Sequence, residues 1–204
     1  MSIHPTAVID PSAELDSSAS IGPYCIIGPR VTVGPEVEIQ AHASIDKDTS
    51  IGRGSRIFPF ASVGADPQDL KYKGESTRLI IGEEVTIRES ATIHRGTGHG
   101  GGLTEIGSRS LIMATVHVAH DCRLGQEVIL SSYAVLAGHV EVGDGAIASG
   151  LSAVHQFVPT GPGAFLGGLS CVPKDVLPYI PGTRVAGGVR DLNFSGPTVL
   201  GLIR

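Results

Sequence analysis

Ile21-Gly-Pro-Tyr-Cys-Ile-Ile27-Gly-Pro-Arg-Val-Thr-Val33-Gly-Pro-Glu-Val-Glu-Ile39 states one pattern three times: a large aliphatic residue, then glycine, then a small or β-branched residue four places after the aliphatic one. Read outward, the aliphatic beat falls on Ile3, Ile9, Leu15, Ile21, Ile27, Val33, Ile39, Ile45, Ile51, Ile57 and Val63. No helix or ordinary strand has a period of six. The place after the aliphatic residue is often a turn former (Asp10, Asp16, Gly22, Gly28, Asp46, Gly52, Gly64), and the place four after it is small or β-branched (Ala7, Ala19, Cys25, Val37, Ala43, Ala61). This is the signature of a hexapeptide β-solenoid. Each hexad is one short strand and a bend. Residues an even number apart return to the same face, so the aliphatic and the small residue both point inward. Three strands close a triangular coil, and coils stack in parallel at ~4.8 Å. The period does not specify the hand.

The beat pauses twice. It stops after Val63 and restarts at Ile81, Ile87 and Ile93, then stops again before running through Ile106, Ile112, Val118, Leu124, Leu130, Leu136, Val142, Ala148, Val154, Thr160, Leu166 and Val172. The organisation expected is therefore a β-helix over residues 1–177, with loops ejected at about 64–80 and 95–105, followed by a C-terminal extension over 178–204. Long loops on a rigid scaffold are where function concentrates.

A chain of 204 residues with 41% hydrophobic residues can bury a long thin core, and 28 Gly with 13 Pro suit many tight bends. The net charge of −5 argues against nucleic acid as partner. Gly145 to Pro173 contains no Asp, Glu, Lys or Arg, as a membrane span would. The six-residue beat continues through it, with His155 and Gln156, so a transmembrane segment is not expected. Met1-Ser-Ile-His-Pro5 leads directly into the first hexad, and no signal peptide is expected. Three cysteines cannot pair completely, and Cys25 and Cys122 occupy the small inward slot, as reduced core residues of a cytoplasmic protein would.

Counting hexads in threes assigns each to a side of the prism. Those starting at Val118, Leu136, Val154 and Val172 share a side, and the hexad at Ile93 joins them if the second loop replaces a bend. His94, His117, His120, His139 and His155 then fall along one side on successive coils. Such a column points to function. Chelation is one reading, because imidazole is a common zinc ligand. However, His117 and His120 are three apart, which on a strand sends them to opposite faces, and His99, spaced from His94 like a ligand pair, lies in a glycine-rich stretch. No metal is expected. Acid/base chemistry is the other reading, with His120 as base because Asp121 adjoins it and can orient the imidazole. Consecutive strand residues diverge, so that pair needs a bend. Gly98-His-Gly-Gly-Gly102 lacks the Gly-Lys-Ser/Thr ending of a phosphate loop and reads as a flexible loop.

The strings Gln68-Asp-Leu-Lys-Tyr72, Ile87-Arg-Glu-Ser90, Thr92-Ile-His-Arg-Gly-Thr97, Gly101-Gly-Leu-Thr104, His117-Val-Ala-His-Asp-Cys122, Leu136-Ala-Gly-His139 and Ala153-Val-His-Gln-Phe157 resemble the UDP-N-acetylglucosamine O-acyltransferase family. The similarity covers about residues 4 to 196. It implies an all-β, left-handed parallel β-helix assembled as a cytoplasmic homotrimer, with active sites between subunits. The implied reaction moves a 3-hydroxyacyl group from acyl carrier protein to the 3-hydroxyl of UDP-N-acetylglucosamine, the first step of lipid A biosynthesis. The protein would need no cofactor of its own, the acyl group being carried on the phosphopantetheine of the carrier. His120 is implied as general base, Asp121 as its orienting partner and the Gly138 N–H as donor to the oxyanion. Asp69, Lys71, His94, His117, His139, His155, Gln156 and Asn193 are implied to line the nucleotide-sugar and acyl-donor sites, and Gly168 to limit acyl length. Family members continue into a helical domain whose basic face receives acyl carrier protein. Leu192-Asn-Phe-Ser-Gly196 resembles its beginning, whereas Pro197-Thr-Val-Leu200 does not reproduce the family's arginines, so 178–204 reads as truncated relative to that domain. Two other readings are open: the related N-acyltransferase of the same pathway, which normally carries an N-terminal uridine-binding domain, and a catalytically reduced trimeric scaffold.

Overall fold

The computed structural model describes residues 2–182. Within them the chain winds as a triangular prism of short parallel strands, most only two residues long. The strands form three sheets of 10, 9 and 8 strands, and up to Cys171–Val172 consecutive strands fall in successive sheets, so each sheet is built from every third strand, the last strand, Pro181–Gly182, returning directly to the first sheet. The first sheet runs from Ser2–Ile3 to Pro181–Gly182, the second from Val8–Ile9 to Cys171–Val172, and the third from Glu14–Leu15 to Pro159–Thr160.

Register follows the aliphatic beat. In the first sheet Ile3, Ile21, Ile39, Ile57, Ile87, Ile112, Leu130, Ala148 and Leu166 stack as one inward ladder. Ile57, Ile87, Ile112 and Leu130 are 0% exposed. Burying each such side chain contributes about 1.5–3 kcal/mol, and the coils below and above supply the partners that no single coil could. The small residues four places on, such as Cys25, Ala91, Cys122 and Ala134, fill the corners of the same core. Cys25 and Cys122 are buried free thiols, and Cys171 is free and exposed.

The bends use two devices. Three places after the aliphatic residue the backbone is left-handed, as at Tyr24 (φ 57°), Arg30 (φ 55°), Phe60 (φ 63°) and Asp121 (φ 60°). A proline often precedes it, as at Pro23, Pro29 and Pro59. Proline followed by a positive φ is the type II turn. The glycine just after the aliphatic residue has a different cause: a Cβ on Gly107 would lie 2.3 Å from the Gly125 carbonyl oxygen, and one on Gly143 2.4 Å from the Pro162 nitrogen. Those glycines permit coils to approach closely. No helix among the described residues is long and apolar enough to cross a membrane.

Candidate active site

Both excursions leave the prism at the corner joining the second sheet to the third. The first spans residues 66–77, between the strands Ser62–Ala65 and Arg78–Ile81, and the second spans residues 95–102, between Thr92–His94 and Leu103–Ile106. Each replaces a bend, and apart from one bulge at Gly64 the strands on either side keep their register. The next bends at this corner carry His120-Asp121 and Gly138-His139. The expected histidine side is therefore the second sheet and its edge.

Asp121 holds the left-handed place of its bend, and this brings two consecutive side chains together: His120 Nδ1 lies 2.8 Å from Asp121 Oδ2. The Asp121 side chain is 1% exposed and that of His120 15%. A carboxylate only accepts, so the proton of the pair sits on Nδ1 and Nε2 carries the lone pair. Gly138 is pressed against that edge of the ring, where a Cβ would stand 2.6 Å from His120 Cε1 and 2.9 Å from Nε2. Among the described residues nothing accepts the Gly138 N–H, which leaves it free for a ligand. The basic nitrogen and a backbone donor thus flank one spot at the surface of the corner.

His139 packs edge-on to His120, ring centroids 5.1 Å apart, and stacks on Phe157 at 4.3 Å. Its Nε2 is 3.8 Å from Asp121 Oδ2, and burial lowers its pKa more than that carboxylate raises it. A second pair lies one coil below: His94 and His117 meet edge to face at 5.0 Å, and Thr92 Oγ1 is 2.7 Å from His117 Nδ1. Burial lowers the pKa of His117 and pushes His94 down to about 4. His94 Nδ1 is buried without a partner.

This buried neutral histidine sets a pH dependence of stability. An unfolded chain protonates histidine near pH 6.5, the folded protein protonates His94 only near 4, and in that window the unfolded state binds the extra proton. Stability is therefore complete above about pH 6.5 and declines as pH falls toward 4, by at most about 1.4 kcal/mol per pH unit from this group. Thermal melts at stepped pH should show Tm falling on acidification, less steeply in His94→Leu. Equal slopes in the two proteins would remove His94 as the cause.

The first loop is rooted by a buried cation. Arg95 is 0% exposed, donates to the Gly64 carbonyl, Asp66 Oδ1 and Tyr72 Oη, and lies 3.9 Å from Asp46 Oδ1. The loop so held presents Asp69, whose Oδ1 accepts the Lys71 N–H at 2.8 Å while Oδ2 lies 3.1 Å from His99 Nε2. These contacts, the Lys71 N–H first, hold the Asp69 carboxyl below its ordinary pKa. Asp69 thereby bridges the two loops. The Lys71 side chain is exposed.

The other expected residues are placed apart from the pair. His155 and Gln156 are exposed, His155 Nδ1 lies 3.2 Å from the Gln156 carbonyl, and neither hydrogen-bonds to His120 or Asp121. Gly168 lies at the other edge of the second sheet, exposed, and a Cβ there would meet only the Gly150 carbonyl at 3.5 Å. Asn193 lies outside the described residues. The glycine stretch lies in a loop and holds one 3-10 turn, Gly98–Gly100, capped by the Thr97 side chain.

No model of a protein family matches the chain. Solved structures do. The LpxA of Acinetobacter baumannii is 47% identical, covering 88% of this chain and 69% of that one, with a TM-score of 0.87. The UDP-N-acetylglucosamine O-acyltransferase of Moraxella catarrhalis is 44% identical, covering 95% and 76%, with a TM-score of 0.93. The chain belongs to the UDP-N-acetylglucosamine O-acyltransferase family. An Arabidopsis UDP-N-acetylglucosamine acyltransferase is 36% identical, covering 98% and 77%, with a TM-score of 0.82. The family's prism is the left-handed parallel β-helix expected, an exception to the right-handed crossover of parallel strands.

Several residues that organise the site in this O-acyltransferase family member are invisible to a search for catalytic side chains. Thr97, Thr104, Arg95 and Phe157 make the contacts just described or bind Asp121 directly, yet a threonine or a phenylalanine carries no chemical signal alone. The quoted strings do contain them.

His120, Asp121 and His139 bring possible ligand atoms within 4.8 Å of one another. Those atoms already serve each other: Asp121 Oδ2 accepts from His120 Nδ1 and from Thr97 Oγ1. A metal would have to displace both bonds. Exhaustive chelation should accordingly leave turnover and Tm unchanged, and zinc lost in step with activity would overturn that expectation.

Proposed function

We propose that the protein transfers a 3-hydroxyacyl group from acyl carrier protein to the 3-hydroxyl of UDP-N-acetylglucosamine, the first step of lipid A biosynthesis. The observation that carries this reading is the His120-Asp121 pair with Gly138 against the imidazole, at the loop-lined corner of a family member. His120 Nε2 takes the proton of the sugar hydroxyl as its oxygen bonds to the thioester carbonyl carbon. The carbonyl oxygen becomes an oxyanion, and the Gly138 N–H donates to it, a kind of interaction that can contribute about 2.7–4 kcal/mol to the barrier. Collapse breaks the C–S bond, and the thiolate leaves with the proton held by His120. Asp121 keeps Nδ1 protonated throughout and stabilises the imidazolium.

The remaining roles follow the family resemblance. Asp69 and Lys71, with His94, His117, His139, His155, Gln156 and Asn193, bind the nucleotide sugar and the arm of the donor. The acyl chain crosses the outer face of the second sheet, where His117, Val135, Ala153 and Cys171 stand one above another and, beyond His117, carry no charge. Gly168 borders that face. Such an apolar strip suits burial between subunits, and Tyr133, Leu151 and Leu169 line its edge as exposed apolar side chains, with Tyr24 and Phe60 on the same corner in earlier coils. This supports a homotrimer with shared sites. No resident cofactor takes part, since the acyl group arrives on the phosphopantetheine of the carrier. Turnover of UDP-N-acetylglucosamine with 3-hydroxyacyl carrier protein tests the reading. An absence of product with every donor length would overturn it.

A further inference from the structure

We infer that Thr97 is a positioning residue for the His120-Asp121 pair, and that the glycine at 100 serves to admit the Asp121 carboxylate. The role assigned to the pair rests on the function proposed above; the geometry does not. Thr97 is 0% exposed and bonds both carboxylate oxygens: its N–H donates to Asp121 Oδ1 at 2.9 Å and its hydroxyl to Oδ2 at 2.6 Å. The direction of the hydroxyl bond follows from the atoms present. The Gly100 N–H donates into the same hydroxyl at 3.1 Å, so the single hydroxyl proton is left for the carboxylate. From the other side the Asp121 N–H donates to Thr104 Oγ1 at 2.8 Å.

The turn around Thr97 closes onto this carboxylate. A Cβ at Gly100 would stand 2.2 Å from Asp121 Oδ2, whereas one at Gly96 would first meet the Leu103 nitrogen, at 2.2 Å, ahead of Oδ1 at 2.8 Å. Only a backbone without a side chain at position 100 reaches the carboxylate so closely. Gly98, in the same turn, faces the other way: a Cβ there would meet only the flexible Glu75 side chain, at 3.2 Å. With both oxygens bound, the carboxylate cannot rotate, and the lone pair left on Oδ2 faces His120 Nδ1. The plane of the imidazole, and with it the direction of Nε2 toward Gly138, is set two bonds away by Thr97. Glycine-rich character here serves an anion, but one belonging to the protein.

Misplacing a catalytic group by about 1 Å can cost on the order of 10²-fold. Thr97→Val keeps the shape and removes the hydroxyl. It should lower kcat by about that factor, with KM for the nucleotide sugar within about twofold, because Thr97 is buried away from substrate. Thr97→Ser should restore most of the lost kcat. Gly100→Ala should lower kcat as well, and Gly98→Ala should not. A separate readout needs no turnover: in ¹⁵N-histidine-labelled protein the His120 Nδ1–H signal should be present in the parent and in Thr97→Ser, and lost in Thr97→Val. Near-parental kcat in Thr97→Val, no recovery in Thr97→Ser, or equal damage from Gly98→Ala and Gly100→Ala would overturn the inference. If Thr97→Val does not fold, Gly100→Ala against Gly98→Ala decides, in kcat and in the same signal. A parent protein without turnover whose Nδ1–H signal follows this pattern would sink the proposed function and uphold the positioning role.

Discussion

His120→Ala should lose turnover by a factor of about 10²–10⁴ while the protein stays folded. The size follows from the chemistry, because without a base the sugar hydroxyl must attack with its proton still attached. The survival of the fold follows from the neighbours. Removing a partner of a buried carboxylate is normally costly, but Asp121 would keep both bonds from Thr97 after His120 is gone. The loss should therefore appear in kcat with little change in Tm. An alanine variant with near-parental kcat would assign the base elsewhere.

Gly168→Met should shorten the preferred acyl donor. The backbone at Gly168 is not left-handed, and its Cβ direction is open apart from an ordinary contact with the Gly150 carbonyl, so the variant should fold. Methionine would fill a length of about four methylenes at the edge of the apolar strip. Each methylene denied burial forfeits about 0.8 kcal/mol, or roughly 200-fold over four. The parent should prefer a long donor, near about fourteen carbons, and the variant one near about ten. The comparison is kcat/KM for 3-hydroxyacyl donors of about ten to sixteen carbons on both proteins. An unchanged length preference in the variant would place the end of the groove elsewhere.

The repeat made most of the fold legible because one hexad carries a whole unit of it: a strand, an inward pair and a bend. Ile57, Ile87 and Ile112 stack in the structure although loops separate them, as the resumed beat required. The reason for the glycines was less legible. Those after the aliphatic residue read as turn formers, whereas the left-handed turn residue lies two places later and is often large, as at Tyr24 and Phe60. Composition marks a glycine but cannot say whether φ or a neighbouring coil requires it. In the site, the His120-Asp121 pair was legible with its condition, a bend at that point. The two separate histidine pairs, the bridge from Asp69 to His99 and the grip of Thr97 on Asp121 were not, because each joins residues brought together only by coil stacking or loop closure.

The two loops lengthen the path between neighbouring coils and, apart from one bulge at Gly64, leave the rungs of the ladders beside them in place. A corner of this prism behaves as a socket: the ends of the inserted segment are clamped by the strand pairs on either side, whatever lies between. Closing a longer loop costs little, about 0.6 kcal/mol per doubling, and here the frame alone bears that cost. Substrate preference can thus be rewritten at the corner while the prism is left untouched. Segments exchanged between Ala65 and Arg78 should change what the protein binds without changing how it folds, provided the acceptors for Arg95 are kept.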